Sequence, residues 1–453
     1  MGKFAQYVSL ADGYVWGVLL YVLLGSHVLL TFMTKFMQRY VFRGIKLSMQ
    51  DEDTDKGISI FGSLMTALSA TIGTGNIVSV GTAIFTGGPG AVFWMWIAGI
   101  FGIATKYAES YIAVKHRRLK EDGAYVGGAM TVFERKNLMP LAYLFAILAA
   151  LAAFGIGCAT QASAIVDLLR INYSIPTYAS GLALCILTAL VVFGGLKSIA
   201  RTCERLVPIM SIIYCVGCAV ILIINGPYLG EALKLIVVSA FSPRAALGGF
   251  VGSTINSAMR RGVERGLFSN EAGMGSAPIA TAAGKAKNAV KPALVGSTGV
   301  FWDTVVVCLM TGLVIVSSVI GNDAIDCLNI ESGSALVNAC FGQIPIFGTP
   351  LLVFGILTFA YSTILGWSYY GESAVEYLLG NKAIKYYRML WIIVIFVGST
   401  MNLSVVWQIA DIMNGLMCIP NIVAIFLCRK ELYADTAHYL FDDHLDELDT
   451  SIE

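Results

Sequence analysis

Apolar residues run along this chain in stretches too long for a soluble core. Between Gly57 and Thr105 there is no Asp, Glu, Lys or Arg. A helix needs about 20 apolar residues to cross a hydrocarbon core of ~30 Å. This stretch therefore holds two crossings, hinged at Gly87-Gly88-Pro89-Gly90, where glycine and proline favour a tight turn. The same reading along the chain predicts eleven membrane helices, over 13–34, 58–85, 90–114, 140–167, 175–194, 204–225, 266–284, 292–318, 348–376, 387–404 and 407–428. The first lacks a small-residue cleavage site and is expected to stay as a helix rather than act as a signal peptide.

Between these spans the basic residues alternate sides. Residues 35–56 hold five Lys and Arg, 115–136 hold six, and 196–205, 285–291 and 377–388 hold three each. With Arg429 and Lys430, 22 of the 30 lie on one face, which the positive-inside bias makes cytoplasmic. The N-terminus is then outside and the C-terminus inside. The outer loop from Gly321 to Gly348 carries Asp323, Asp326 and Glu331 and no base. Its Cys327 and Cys340 read as free thiols unless the compartment oxidises them. Arg260, Arg261 and Arg265 break the pattern on the outer side, and residues 244–265 are expected to form an interfacial helix. The acidic tail around Asp442-Asp443-His444 is too polar to insert and is expected to be solvated.

Composition narrows the function classes. Hydrophobic residues make up 57% and charged residues 13%, so a polytopic all-α membrane protein in a lipid bilayer is the only class that fits. A net charge of +1 leaves no basic field for nucleic acid. The ten cysteines lack paired spacing and the four histidines form no HExxH, which argues against a metal-centred enzyme and against an organic cofactor site.

Two spans share an interruption. The second reads Ser69-Ala70-Thr71-Ile72-Gly73-Thr74-Gly75-Asn76, and the seventh reads Ser269-Asn270-Glu271-Ala272-Gly273-Met274-Gly275-Ser276. Paired glycine breaks in two halves point to a transporter built from repeats. Helix 2 starts inside and helix 7 outside, so helices 2–6 and 7–11 would be inverted five-helix units. The organisation predicted is 1–56 (extra helix and loop), 57–225 (first unit), 226–265 (outer connection), 266–430 (second unit) and 431–453 (tail). Unwound backbone in hydrocarbon persists only where it lines a polar cavity. Freed amides near Thr74, Gly75 and Asn76 suit a carboxylate, and freed carbonyls near Ser69, Ala70 and Ile72 suit a cation or an ammonium group. The competing reading is close helix packing through small residues.

Three further spans carry polar anomalies. Phe359, Ser362, Thr363 and Gly366 share one helix face. The two hydroxyls either serve an alkali cation or bond back to their own helix. Gln161 sits in an uncharged span and either touches substrate or a neighbouring helix. Asp303 must pair, titrate or face a cavity, and Lys106 with Glu109 reads as an ion pair at the inner end of helix 3.

At these residues the chain resembles the alanine or glycine:cation symporter family, the sodium:alanine symporters. The segments that carry the resemblance are Ala70–Ile77, Gly87–Gly90 with Phe93-Trp94-Met95-Trp96, and Arg265–Pro278. The resemblance implies the leucine-transporter (LeuT) fold with an extra N-terminal helix, a prokaryotic plasma-membrane location, and uptake of alanine or glycine driven by Na+, with protons used by some relatives. Carried over residue by residue, it implies that Thr71, Ile72, Gly73, Thr74, Gly75, Asn76, Gln161, Phe268, Gly273, Ser276 and Trp367 bind substrate. It also implies that Ser69, Ile72, Phe359, Ser362 and Thr363 bind sodium. Thr281 stands where family members commonly have histidine.

Overall fold

A computed structural model of the protein describes residues 3–50, 57–120, 123–242, 254–322, 324–325, 327, 329–401 and 404–452. The chain runs as α1 (Lys3–Met33), α2 (Val41–Ser48), α3 (Ile60–Thr71), α4 (Val78–Gly87), α5 (Gly90–Lys115), α6 (Ala129–Arg135), α7 (Met139–Ala152), α8 (Thr160–Tyr173), α9 (Thr177–Val192), α10 (Gly195–Ile224) and α11 (Gly226–Phe241). It continues as α12 (Ile255–Asn270), α13 (Pro278–Ala282), α14 (Val290–Val300), α15 (Leu309–Gly321), α16 (Gly333–Gly342), α17 (Gly348–Leu379), α18 (Lys382–Thr400), α19 (Ser404–Leu427) and α20 (Arg429–Asp435). A two-stranded hairpin, β1 (Arg118–Leu119) and β2 (Tyr125–Val126), follows α5. The architecture is all-α, as expected.

Its exterior is apolar and its interior partly polar, the distribution a bilayer selects. Leu10, Tyr14 and Tyr21 of α1, Leu182 and Leu190 of α9, and Ile209 and Ile223 of α10 are exposed. Meanwhile Lys106, Glu109, Asn270, Glu271, Asp303 and Asn421 are buried. Two long helices pass through π-helical turns, Ala153–Ala159 between α7 and α8 and Phe301–Cys308 between α14 and α15. A π turn leaves a carbonyl without its usual partner. Gln161 Nε2 meets the Ile156 carbonyl at 3.2 Å and so absorbs one of these.

Both broken helices are present. In the first, α3 starts at Ser59, whose hydroxyl accepts from the Gly62 amide and donates to Glu204 Oε1 of α10 at 2.6 Å. It stops at Thr71, and α4 resumes beyond a 3-10 turn, Thr74–Asn76. In the second, α12 and α13 flank residues 271–277. Here the expected boundaries shift. Ile255–Asn270 is one helix, so residues 255–265 are the first part of broken helix 7 rather than a separate interfacial helix, while 244–253 lie outside the described residues. Helix continuity holds because residues 255–270 contain no proline and their two glycines lie against α5, where a Cβ at Gly262 would collide with the Ala91 carbonyl and one at Gly266 would sit tightly at 3.2 Å from Met95. The connection also holds a helix, α11, that was not expected. Asp323 and Asp326 fall outside the described residues. Among the described residues no disulfide links any of the ten cysteines, and Cys327 and Cys340 are buried.

The tail corrects another expectation. Its acidic side chains Asp442, Asp443, Asp446 and Glu447 are exposed, as expected, but the segment as a whole packs onto the basic end of the bundle and buries Tyr439, Leu440, Leu445 and Ile452. Asn288 Nδ2 donates to the carbonyls of Leu445 (2.8 Å) and Glu447 (3.0 Å), and the Asp449 amide donates to the Lys287 carbonyl at 2.8 Å. Lys115 Nζ bridges Asp435 Oδ2 (2.8 Å) and Asp449 Oδ2 (2.7 Å). Acidic residues alone would have stayed in water. Interleaved apolar side chains and the lysines of the 285–291 loop bring the segment down. Burial works against the Asp449 charge, but hydrogen bonds from Lys115 and Ser451 outweigh it and hold the carboxyl below its usual range. A depressed carboxyl stabilises docking above its free pKa and loses that contribution as pH falls through the docked value. Acidification, or Asp449→Asn at neutral pH, is therefore expected to release the tail, read as faster carboxypeptidase trimming. Trimming that ignored both changes would rule out Asp449 as the anchor.

Candidate substrate and cation site

The breaks face each other at the centre of the bundle, and each is held by side chains that replace the lost helical bonds. In the first, Asn76 Oδ1 accepts from the Gly73 amide at 2.9 Å. Its Nδ2 donates to Asp303 Oδ1 at 2.6 Å. Asp303 also accepts from Ser269 Oγ (3.0 Å to Oδ2) and Thr304 Oγ1 (2.6 Å). One fully buried carboxylate thus clasps both broken helices, which settles Asp303 as a paired group. Hydrogen bonds from Asn76, Ser269 and Thr304 offset part of its desolvation.

In the second break, Glu271, Gly273 and Gly275 all have positive φ, at 53°, 91° and 80°. Glycine adopts that region at no steric cost, and Glu271 does so only because its neighbours hold it. Lys106 Nζ donates to the Glu271 carbonyl at 3.1 Å and pairs with Glu109 Oε1 at 2.8 Å. Glu109 Oε2 accepts from the amides of Gly273 (3.0 Å) and Gly275 (3.1 Å) and from Asn421 Nδ2 (2.8 Å). The Lys106–Glu109 pair is therefore buried machinery for the break of helix 7, not a pair at the helix end.

Between the breaks lies a small, nearly closed cavity lined by Ala70, Thr71, Gly73, Gly75, Ile156, Gln161, Phe268, Glu271, Thr363 and Trp367. Seven of the expected substrate and sodium residues meet here: Thr71, Gly73, Gly75, Gln161, Phe268, Thr363 and Trp367. Gly73 has no room for a side chain, since a Cβ would stand 2.5 Å from Thr363 Oγ1. Among the described residues the amides of Thr74 and Gly75 make no hydrogen bond, and Gln161 Oε1 is buried without a partner. Ala70, Ile156 and Glu271 complete the wall without having been expected as site residues, and of the three only Glu271 is ionisable. It accepts from Trp367 Nε1 (3.0 Å) and Ser276 Oγ (2.5 Å). Its signal was a carboxylate inside a membrane span.

The remaining expected residues stand around the cavity rather than in its wall. Thr74 is buried beside it. Asn76 spends its amide on Gly73 and Asp303, and Ser276 reaches Glu271. Gly273 faces Leu23 and Ile422 and gives its N-H to Glu109. Ile72 turns its carbonyl to the hydroxyls of Ser362 (3.3 Å) and Thr363 (3.4 Å). These hydroxyls also reach the Phe359 carbonyl, at 2.9 and 3.0 Å. Four oxygens therefore converge beside the cavity. Ser69 keeps its hydroxyl on the Thr66 carbonyl at 2.8 Å and makes no hydrogen bond to this group. The bonds to Phe359 alone would be ordinary back-bonding within α17. The reach to Ile72, on another helix, makes the cluster a junction between α17 and the first break.

Comparison with known proteins gives this geometry a family. The chain is 43% identical over 444 residues to the sodium/alanine symporter AgcS of Methanococcus maripaludis, covering 96% of each protein. It is 32% identical to a putative sodium/proton-dependent alanine carrier protein, YrbD, of Bacillus subtilis, covering 94% of this chain and 90% of that one. A solved Na+-coupled sialic acid symporter, in a substrate-bound outward-open state, shares the fold with a TM-score of 0.54 at 14% identity, over 94% of this chain and 86% of that one. The fold is of the LeuT type and the protein is a membrane transporter of amino acids, not an enzyme. Residues 1–450 match the sodium:alanine symporter family, and the chain belongs to it.

Proposed function

We propose that the protein imports small neutral amino acids, alanine and glycine, coupled to sodium by alternating access, with its N-terminus outside and its C-terminus in the cytoplasm. The observation that carries this is the pairing of unused groups at the first break. Among the described residues, two adjacent amides, Thr74 and Gly75, have no acceptor and Gln161 Oε1 has no donor, while Glu271 offers a carboxylate in the same wall. Buried polar groups left this way cost free energy unless a ligand completes them. A zwitterion fits: its carboxylate meets the amides and its ammonium meets the acceptors. Phe268 and Trp367 close the space, which favours a methyl group or a hydrogen as the side chain. Thr71 and Gly73 form the adjoining wall, while Asn76, Gly273 and Ser276 hold its backbone.

Sodium would be held by the carbonyls of Ile72 and Phe359 and the hydroxyls of Ser362 and Thr363, with the Ser69 carbonyl as fifth ligand. Hard oxygen donors of this kind suit an alkali cation. Thr363 lies in both groups, so the cation and the substrate share a wall. Binding of either orders Thr363 for the other, and a coupling of ~1.4 kcal/mol suffices for a tenfold change in affinity. Rocking of one bundle around this site would expose it alternately to the two sides.

The test is uptake of labelled alanine and glycine into proteoliposomes under an inward sodium gradient, against an equal potassium gradient, with the pH clamped. Concentrative uptake is expected with sodium alone. Accumulation that followed a proton gradient instead would support the second reading, a proton-coupled carrier, which the buried carboxylate of Glu271 in the cavity wall favours.

A further inference from the structure

Outside the central site, an apolar cleft of about 400 Å³ opens sideways between α2, α3, α10 and the π turn Phe301–Cys308. Its walls include Met49, Leu64, Leu68, Ile212, Cys215 and Val306. We propose that this cleft is a binding site for one acyl chain of an anionic phospholipid from the leaflet on the tail side of the bundle.

Length, chemistry and charge carry the assignment. The cleft follows α3, whose 12 residues span ~18 Å at ~1.5 Å per residue, close to half of a ~30 Å hydrocarbon core. It runs from Ser48 and Met49, beside the basic loop, to Ile72 at the break. Apart from Ser48, Ser211 and Trp302 the walls offer water nothing to bond to, and a void would forfeit the dispersion contacts of every residue lining it. At the open end, Lys46 lies between the wall residues Ile45 and Ser48, and Arg205 lies two residues before Val207. Both are exposed and neither has an ion-pair partner among the described residues. A phosphate at that level and a tail in the cleft complete both features at once.

The occupant would touch the transport site. Ile72 lines the cleft with its side chain and gives its carbonyl to Ser362 and Thr363. A bound tail therefore supports α3 at the residue where its backbone leaves the helix.

The test uses the full-length protein reconstituted with diazirine-tailed phosphatidylglycerol or phosphatidylcholine. Photolysis is expected to concentrate adducts on peptides from α3 and α10, more with the anionic lipid. Cys215→Trp and, separately, Ser211→Trp fill the cleft, and each is expected to cut those adducts several-fold while adducts on α9 persist. Lys46→Gln and Arg205→Gln should each reduce the anionic preference about fivefold, the factor for ~1 kcal/mol per basic residue near a membrane surface. Labelling spread evenly over the lipid-facing helices, or unchanged by both tryptophans, would overturn the proposal. So would a crosslinked dimer through this face, which would make a second copy the occupant. Labelling requires no transport, so failure of the sodium-symport reading leaves this test intact.

Discussion

Replacing Glu109 by alanine is expected to abolish uptake and leave little folded protein. The substitution removes the acceptor for the Gly273 and Gly275 amides and for Asn421, and it strips Lys106 of its counter-charge. Breaking a buried ion pair by removing one partner typically costs ~3–5 kcal/mol, because the other charge stays desolvated. That is a large part of the ~5–15 kcal/mol by which a domain is stable. Glu109→Gln keeps an acceptor for the amides but leaves Lys106 unpaired, so its losses should be intermediate. Size-exclusion profiles and melting temperatures in detergent, followed by uptake in proteoliposomes, separate these outcomes. Wild-type melting and uptake in the alanine variant would mean that the break of helix 7 is held by something other than this pair.

The second large effect concerns coupling rather than folding. Thr363→Ala should leave a well-folded protein, since the hydroxyl can be spared from its helix, but it removes one of four converging oxygens and part of the cavity wall. The sodium concentration for half-maximal uptake is expected to rise tenfold or more, the factor that ~1.4 kcal/mol of lost binding represents. Thr363→Ser, which restores the hydroxyl, should recover most of it. Unchanged sodium dependence in the alanine variant would remove the cation assignment and leave Thr363 as a packing residue. Gly366 sets the limits of this experiment. A Cβ there would stand 2.5 Å from Ser69 Oγ and 2.7 Å from the Ala70 amide, so substitutions at Gly366 would part α17 from α3 and mimic a site defect.

Much of the architecture was legible in the sequence, because hydrocarbon imposes a simple rule. Every span needs enough apolar residues and internal hydrogen bonds, and the charge-free run from Gly57 to Thr105 declares this without any tertiary information. The paired motifs at Gly73-Thr74-Gly75 and Gly273-Met274-Gly275 likewise marked both breaks, since glycine is the residue that tolerates them. The start of helix 7 was misplaced because Arg260, Arg261 and Arg265 interrupt its hydropathy. The structure carries them in one continuous helix, where Arg261 meets Glu264 at 3.1 Å.

Partners were not legible, and the reason is physical. Local patterning records which face of a helix is polar but not which distant group meets it. Asp303 stood out as costly, and the groups that offset part of that cost, Asn76 and Ser269, lie 227 and 34 residues away along the chain. The acidic tail appeared solvated until Asn288 and Lys115 placed it against the bundle. Glu271 is held in the cavity wall by Trp367, 96 residues away, and by Ser276. The sequence by itself determined that this chain crosses a membrane, breaks two helices and belongs to a family of transporters. Only the tertiary structure decided which freed backbone groups are consumed by side chains and which are left open for a ligand, because that depends on contacts between helices that no period along the chain encodes.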